Sequence, residues 1–274
     1  MSGRRLSGLA LAVSLILAGM GADRLAIAAD CALSPSPASS TVVRIIDGET
    51  LALDDGSSVR LIGALAPRRF ESPDDPAVWP PEQEARTALE QLVLGKPVEL
   101  AVAGRQTDRY GRLLAHAFVQ HDGGRVWVQE HMVRNGHARA YALRDSTSCI
   151  ESLLAAEGDA RGAGLGLWAH PAYRIRSAEQ IRELLRDRSS YQIIEGRIVE
   201  AADVRGQMYL NFGKDWRTDF TASARPRERK AIEGGGLDLK SLQGRRVRIR
   251  GWIDRRSGPA IELHHISQIE VLPD

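Results

Sequence analysis

Thr41-Val42-Val43-Arg44-Ile45-Ile46, Asp47-Gly48-Glu49, Thr50-Leu51-Ala52-Leu53-Asp54, Asp55-Gly56-Ser57-Ser58 and Val59-Arg60-Leu61-Ile62-Gly63-Ala64 follow one another without interruption. Three runs rich in β-branched and aliphatic residues are separated by Asp-Gly turns, the pattern of an antiparallel meander. Downstream, Pro67, Pro73, Pro76, Pro80 and Pro81 crowd residues 66–81 and predict a long irregular loop. Residues 82–94 then place Ala85, Leu89, Leu92 and Val93 at helical spacing. Further strands are expected over 97–102 and 113–120, and Asp122-Gly123-Gly124 turns the chain into a short strand at 125–128. Helices are expected over 128–136 and 149–162, each stopped by glycine. Gly162, Gly164 and Gly166 thus read as a helix terminator and not as a phosphate-cradling loop.

The last third of the chain shows the same grammar. A charged helical connector at 173–190 leads into strands at 191–200, 207–212 and 218–223, a helical segment at 227–242, and strands at 246–253 and 260–264. Five strands with a helix between the third and fourth is the order of an OB-fold barrel. The first half opens in the same way, and 274 residues suffice for two domains. The expected class is therefore α+β: two β-barrels with helices in tandem, over 41–172 and 191–274.

The N-terminus has a different character. Arg4 and Arg5 precede an apolar run from Leu6 to Ala22 and an Ala26-Ile27-Ala28 triplet, the layout of a secretory signal over residues 1–29. Residues 30–40, with two prolines and no apolar pattern, read as a flexible leader. Export to the periplasm or the cell exterior is expected, with an N-terminal membrane anchor as the alternative. The chain has two cysteines, Cys31 and Cys149, and an oxidising compartment would let them pair. Two unpaired thiols are the alternative.

Composition excludes several classes. With 43% hydrophobic and 26% charged residues, collagen-like, coiled-coil and wholly disordered readings fail. The formal net charge is +2, but residues 30–190 carry three more acidic than basic side chains and residues 191–274 three more basic than acidic. A nucleic-acid reading must therefore rest on local sites.

Three clusters supply such sites: Asp47-Gly48-Glu49-Thr50 in a turn, Arg60-Leu61-Ile62-Gly63-Ala64-Leu65-Ala66-Pro67-Arg68-Arg69 leaving a strand, and Thr107-Asp108-Arg109-Tyr110-Gly111-Arg112. In order and spacing they resemble the staphylococcal nuclease (thermonuclease) family over residues 41–168. That family has an Asp-Gly-Asp-Thr turn, an Arg-Leu strand ending in Asp-Thr/Ala-Pro-Glu, and Asp-Lys/Arg-Tyr-Gly-Arg. The resemblance implies a phosphodiester hydrolase in which two aspartates and a backbone carbonyl help hold calcium, a glutamate is the proposed general base, and two arginines bind the scissile phosphate.

Position by position, the first aspartate falls on Glu49, the second on Leu65, the carbonyl on Ala66 and the glutamate on Arg68. The arginines remain as Arg60 and Arg112. Leu65 offers no oxygen to a cation that takes about 6 to 8 of them. Arg68 cannot accept a proton, its pKa lying above about 12. Calcium is the implied cofactor, with Glu49 as the one side-chain ligand left. Arg60, Arg68 and Arg112 offer guanidinium forks suited to a phosphate, although Arg68 beside Arg69 also reads as an ordinary loop arginine. Glu71, Asp74 and Asp75 in the loop, or Glu82 and Glu84 opening the helix, are the groups from which a rearranged site would draw an acid.

Elsewhere, His131 and His137 lack the spacing of a metal pair on a helix, and neighbours His264 and His265 face opposite ways in a strand. In the second module Tyr209, Phe212, Trp216, Phe220 and Trp252 lie among Lys214, Arg217, Arg246, Arg248 and Arg250. Alternation puts the last three arginines on one strand face. Basic and aromatic residues on a barrel face suit single-stranded DNA or RNA, whereas a solvated face over an aromatic core is the alternative. The sequence thus predicts an exported protein that binds nucleic acid or another phosphate-bearing polymer through a degenerate nuclease centre. A nuclease with a rearranged site and a non-catalytic interaction or envelope module are the alternatives.

Overall fold

A computed structural model of the protein describes residues 33–36, 38–69 and 79–273. The signal or anchor, Cys31, Glu71, Asp74 and Asp75 lie outside the described residues.

The opening meander forms as its Asp-Gly turns dictate: β1 (Ser39–Asp47), β2 (Thr50–Leu53) and β3 (Ser58–Leu61) pair antiparallel. After the short β4 (Gly63–Leu65) comes α1 (Pro80–Val93). It starts two residues before the apolar spacing predicts, with Pro80 and Pro81 at its first positions. Prolines fit there because the first N–H groups of a helix have no intrahelical acceptor. Then follow β5 (Pro97–Thr107), β6 (Leu113–His121), β7 (Gly124–Trp127), α2 (Val128–Arg134), β8 (Arg139–Tyr141) and α3 (Ile150–Gly162).

The sheet runs β3-β2-β1-β5-β6-β7, and a parallel β3–β6 pairing closes the first five strands into a barrel. Val42, Leu51, Val59, Val98 and Ala117 fill it, and Leu89, Val133 and Leu153 cap it from the helices. β5 runs past the predicted residue 102 because an irregularity between Val102 and Thr107 bends it onward. Gly104 at φ +78° permits this, since a Cβ there would meet the Asp145 carbonyl oxygen at 2.1 Å.

Beyond residue 170 lie β9 (Arg176–Ser177), α4 (Ile181–Arg186), β10 (Tyr191–Arg197), β11 (Glu200–Val204), β12 (Gln207–Asn211), β13 (Thr221–Ala224), α5 (Pro226–Gly234), β14 (Arg246–Trp252), β15 (Asp254–Arg256), β16 (Gly258–Glu262) and β17 (Ile269–Val271). The connector is helical only over Ile181–Arg186, because Arg176 and Ser177 join β10 as a parallel edge strand.

The expected second barrel does not close. Its strands divide into a sheet β17-β14-β10-β9 and a sheet β11-β12-β13-β16-β15. The parallel pairing of the third and last main strands, β13–β16, and the antiparallel β10–β14 pairing are both made. The ladder between β14 and β16 is absent. There the Gln268 amide donates to the Arg250 carbonyl on β14 (3.0 Å) and the Glu262 carbonyl on β16 (3.3 Å). Its oxygen accepts from the His264 and His265 N–H groups. A side chain thus takes up backbone groups that a ladder would pair. Ile194, Met208, Leu210, Phe220, Val247 and Ile261 pack between the two sheets.

The two regions are joined through buried charge. Glu157 on α3 is 0% exposed; its Oε2 accepts from the Ala140 N–H, while Oε1 pairs with Arg161 at 3.1 Å and with Arg250 on β14 at 2.7 Å. Arg139 on β8 donates to the Tyr191 carbonyl at 2.6 Å, with its guanidinium over the Tyr173 and Tyr191 rings. Burial opposes a charge on Arg250, but the Glu157 carboxylate, together with Tyr191 and Glu270, raises its pKa on balance.

Candidate functional site

The site begins at the β1–β2 turn. Asp47 accepts the Glu49 N–H at 2.9 Å, a local side-chain turn that directs Glu49 inward until it is 1% exposed. Gly48 is required beside it, because a Cβ would stand 2.7 Å from the Ala66 methyl and 3.1 Å from that of Ala85. Both carboxylate oxygens of Glu49 are engaged. Oε2 accepts the Ala66 N–H at 3.0 Å, and Oε1 pairs with Arg60 at 2.8 Å and with Arg68. β3 supplies Arg60, whose Cα lies opposite Thr50 in the β2–β3 register. Arg68 is therefore a partner of the buried carboxylate and not a solvated loop arginine.

Leu65 is 1% exposed and turned into the interior. Arg69 closes the loop end by donating its N–H to Glu82 on α1, which gives that glutamate a structural partner.

Arg112 sits on a tight turn before β6. Asp108 accepts the N–H groups of Tyr110 (2.8 Å) and Arg112 (3.0 Å) through Oδ1 and the Arg112 Nε (2.7 Å) through Oδ2. Burial pushes the Asp108 carboxyl up, but the Arg112 guanidinium and the two N–H groups hold it below the usual carboxylate range. Arg112 also reaches the Thr50 hydroxyl at 3.4 Å, which brings the third cluster onto the first.

Arg60 and Arg112 line one wall of a cleft of about 580 Å³. Arg105, Arg109, Tyr110, Tyr141, Leu143 and Arg144 are among its other lining residues, with Asp108 and Asp145 as its acids. Arg109 lies with its guanidinium 4.7 Å from the Tyr110 ring centre, and that ring is 68% exposed. Five arginines against two aspartates, with Arg60 paired to Glu49 and Arg112 to Asp108, leave the cleft with an excess of positive charge. Arg68 is not among its lining residues. Sequence reasoning missed Arg105 and Arg144, which fall outside any motif. The bend in β5 and the loop after β8 bring them there, and the one local signal was Gly104.

The arginine stripe of the second region is differently employed. Arg246 and Arg248 pair with Glu195, Arg248 also with Glu270, and Arg250 with Glu157. Phe212 and Phe220 are core, whereas Trp216 and Trp252 are exposed.

Calcium, implied by the resemblance, is not suited by the described residues at the family's ligand positions. Leu65 offers hydrocarbon, and the Glu49 oxygens are taken by an N–H and two guanidinium groups that would repel a cation. Among the described residues no three acidic, histidine or cysteine side chains converge.

A family model described as staphylococcal nuclease homologue matches residues 58–170. The thermonuclease of Staphylococcus hyicus is 30% identical over 132 residues, 47% of this chain and 75% of that protein. Protein ParB of Escherichia coli is 33% identical over 147 residues, 47% of this chain and 72% of its own length. The SPbeta prophage-derived endonuclease YokF of Bacillus subtilis (strain 168) is 29% identical over 139 residues, and the match spans only 45% of that protein. With the closed five-stranded barrel and the three motif clusters in family order, these similarities establish that the chain belongs to the staphylococcal nuclease family.

Proposed function

We propose that this protein is an exported phosphate-polymer-binding member of its family, with nucleic acid as ligand and with calcium-dependent hydrolysis lost. One observation carries this reading: Arg68, at the position of the family's general base, occupies the same Glu49 oxygen as Arg60. The carboxylate that remains of the metal site is therefore neutralised from within. The arginine cleft beside it keeps the phosphate-binding half of the family's chemistry. Export rests on the N-terminal pattern of residues 1–29, and a Cys31–Cys149 bridge would suit an oxidising compartment.

Incubating the mature protein with single-stranded DNA and RNA, in calcium and in chelator, tests the reading. Salt-sensitive binding without cleavage is expected, weakened by Arg112→Ala. Calcium-dependent cleavage abolished by Arg112→Ala would overturn it and establish the rearranged nuclease. Absence of any salt-sensitive binding would leave an interaction module. The double change Leu65→Asp, Arg68→Glu is expected to restore calcium-dependent cleavage, because it returns a ligand and a base while freeing Glu49.

A further inference from the structure

The arginine cleft does not end at the barrel. Tyr141, Leu143 and Arg144 line both this cleft and a cavity of about 380 Å³ at the junction of the two regions. Ser223, Arg256 and Ala260 in turn line both that cavity and a third, of about 620 Å³, on the sheet containing β11, β12, β13 and β16. The three cavities are therefore neighbours in a row, each sharing lining residues with the next, and together outline a groove from the nuclease-like barrel across the junction to the second region.

Charge and aromaticity change along this groove. The cleft is dominated by arginine. The junction cavity carries Tyr141 and Trp252, the latter 38% exposed. The third cavity carries Tyr209 and Trp216, the latter 53% exposed, over a floor of small and hydroxyl residues, Ala202, Thr221 and Ser223. Its charged lining residues are Glu200 and Arg256, of opposite sign, so it has no excess of positive charge. Arg217 stacks on the Trp216 indole at 4.4 Å and holds that ring in place at the rim. A polymer with an anionic backbone and flat rings would use both ends. A polyphosphate would leave the aromatics idle, and a neutral glycan the arginines. Exposed rings along a groove stack bases only when these are splayed out of a duplex.

The geometry points to this groove as a single-stranded nucleic-acid track, in which the arginine cleft holds backbone phosphates and Trp252, Tyr209 and Trp216 stack successive bases. The track rests on the phosphate-binding reading of the cleft. In the second region it places the contact on exposed rings, with Arg246 and Arg248 engaged by Glu195 and Glu270 and Arg250 by Glu157.

The test compares the full mature chain, in chelator, with an oligothymidylate of about 16 nucleotides and a base-free deoxyribose-phosphate oligomer of equal length, a span matching one OB-type site. The oligothymidylate should bind at least about tenfold more tightly, and Trp216→Ala and Trp252→Ala should each remove about five- to tenfold of that advantage. Neither change should alter the affinity of the base-free oligomer, and Trp216→Phe should restore most of the loss. Arg112→Ala should weaken both ligands. Equal affinity for the two oligomers, or tryptophan variants that bind oligothymidylate like the parent while Arg112→Ala still weakens it, would overturn the track and leave the cleft intact. If Arg112→Ala changes neither affinity, the cleft reading fails and the track with it. Photo-crosslinking of a 5-iodouracil oligomer to Trp216 or Tyr209 provides a readout independent of affinity.

Discussion

The two halves of this molecule share a strand order and differ in closure. In the first, β3 meets β6 in parallel and β5 and β6 form a long antiparallel ladder, so that the sheet closes. In the second, the equivalent parallel pairing β13–β16 is made, but the corresponding β14–β16 ladder is not. Each half uses a glutamine beside its barrel strands. Gln129, fully buried, donates to the Ile62 and Ala115 carbonyls and accepts the Ala117 N–H, bracing a barrel that its own ladders have closed. Gln268 stands between β14 and β16 and binds backbone groups that would otherwise face each other. The same side-chain chemistry therefore supports closure in one place and substitutes for it in another. The open seam also has a function in the proposed track, since Arg250 and Gly251 of β14 and Ile261 and Glu262 of β16 flank it and line the junction cavity.

The largest effect is expected where the halves meet. Glu157→Ala leaves the Arg250 guanidinium buried without its carboxylate and should cost about 3–5 kcal/mol in urea unfolding. A Glu157→Leu, Arg250→Met double variant should recover most of this. If Glu157→Ala instead yields two separate transitions, with the first region unchanged, the halves are independent units and their comparison is one of neighbours.

A pH titration should report on the first half through one buried histidine. His116 on β6 is buried against the Trp127 ring with both ring nitrogens unsatisfied, and burial lowers its pKa from 6.5 to about 4. Between these values the unfolded chain binds the proton and the fold does not. Stability is thus fully present above pH 6.5 and falls as the pH drops toward 4, by on the order of 3 kcal/mol. His116→Leu should flatten that slope. An unchanged slope between pH 7 and pH 4.5 would assign the acid sensitivity elsewhere.

The glutamines give the smallest and most discriminating pair. Gln129→Leu removes the side-chain partner of the Ile62 carbonyl and the Ala117 N–H and should destabilise by about 2–3 kcal/mol, whereas Gln268→Leu, at a half-buried seam, should cost about 1 kcal/mol. Equal losses measured by thermal unfolding would show that the open seam is as dry and as tightly held as the closed barrel.

Much of this architecture was legible in the sequence, for physical reasons that vary from element to element. The meander over β1–β3 was readable because Asp-Gly turns and strand alternation are local signals. α1 is readable from Ala85, Leu89 and Leu92, but its start at Pro80 is not, because prolines signal loop and helix start alike and sit here at positions where no donor is needed. β4, β8 and β9, two or three residues each, carry no period long enough to detect. The three site clusters were visible as motifs, but Arg105 and Arg144 were not, since they enter the cleft through a bend in β5 and the loop after β8. The arginine alternation in β14 was read correctly as one face. What covers that face, Glu195, Glu270 and Glu157, lies 22 to 93 residues away in the chain.

By itself, the sequence determined the strand and helix periods, the family motifs, and the chemistry that two positions lack: Leu65 has no oxygen for a cation and Arg68 no site for a proton, wherever they sit. Only the tertiary structure decided which charge meets which. It turned Arg60 and Arg68 onto Glu49, Arg250 onto Glu157 and Arg112 onto Asp108, and set Arg105 and Arg109 beside them around an open cleft. The physical reason is that ion pairing depends on distance and desolvation through space, and neither is written in the spacing of residues along the chain.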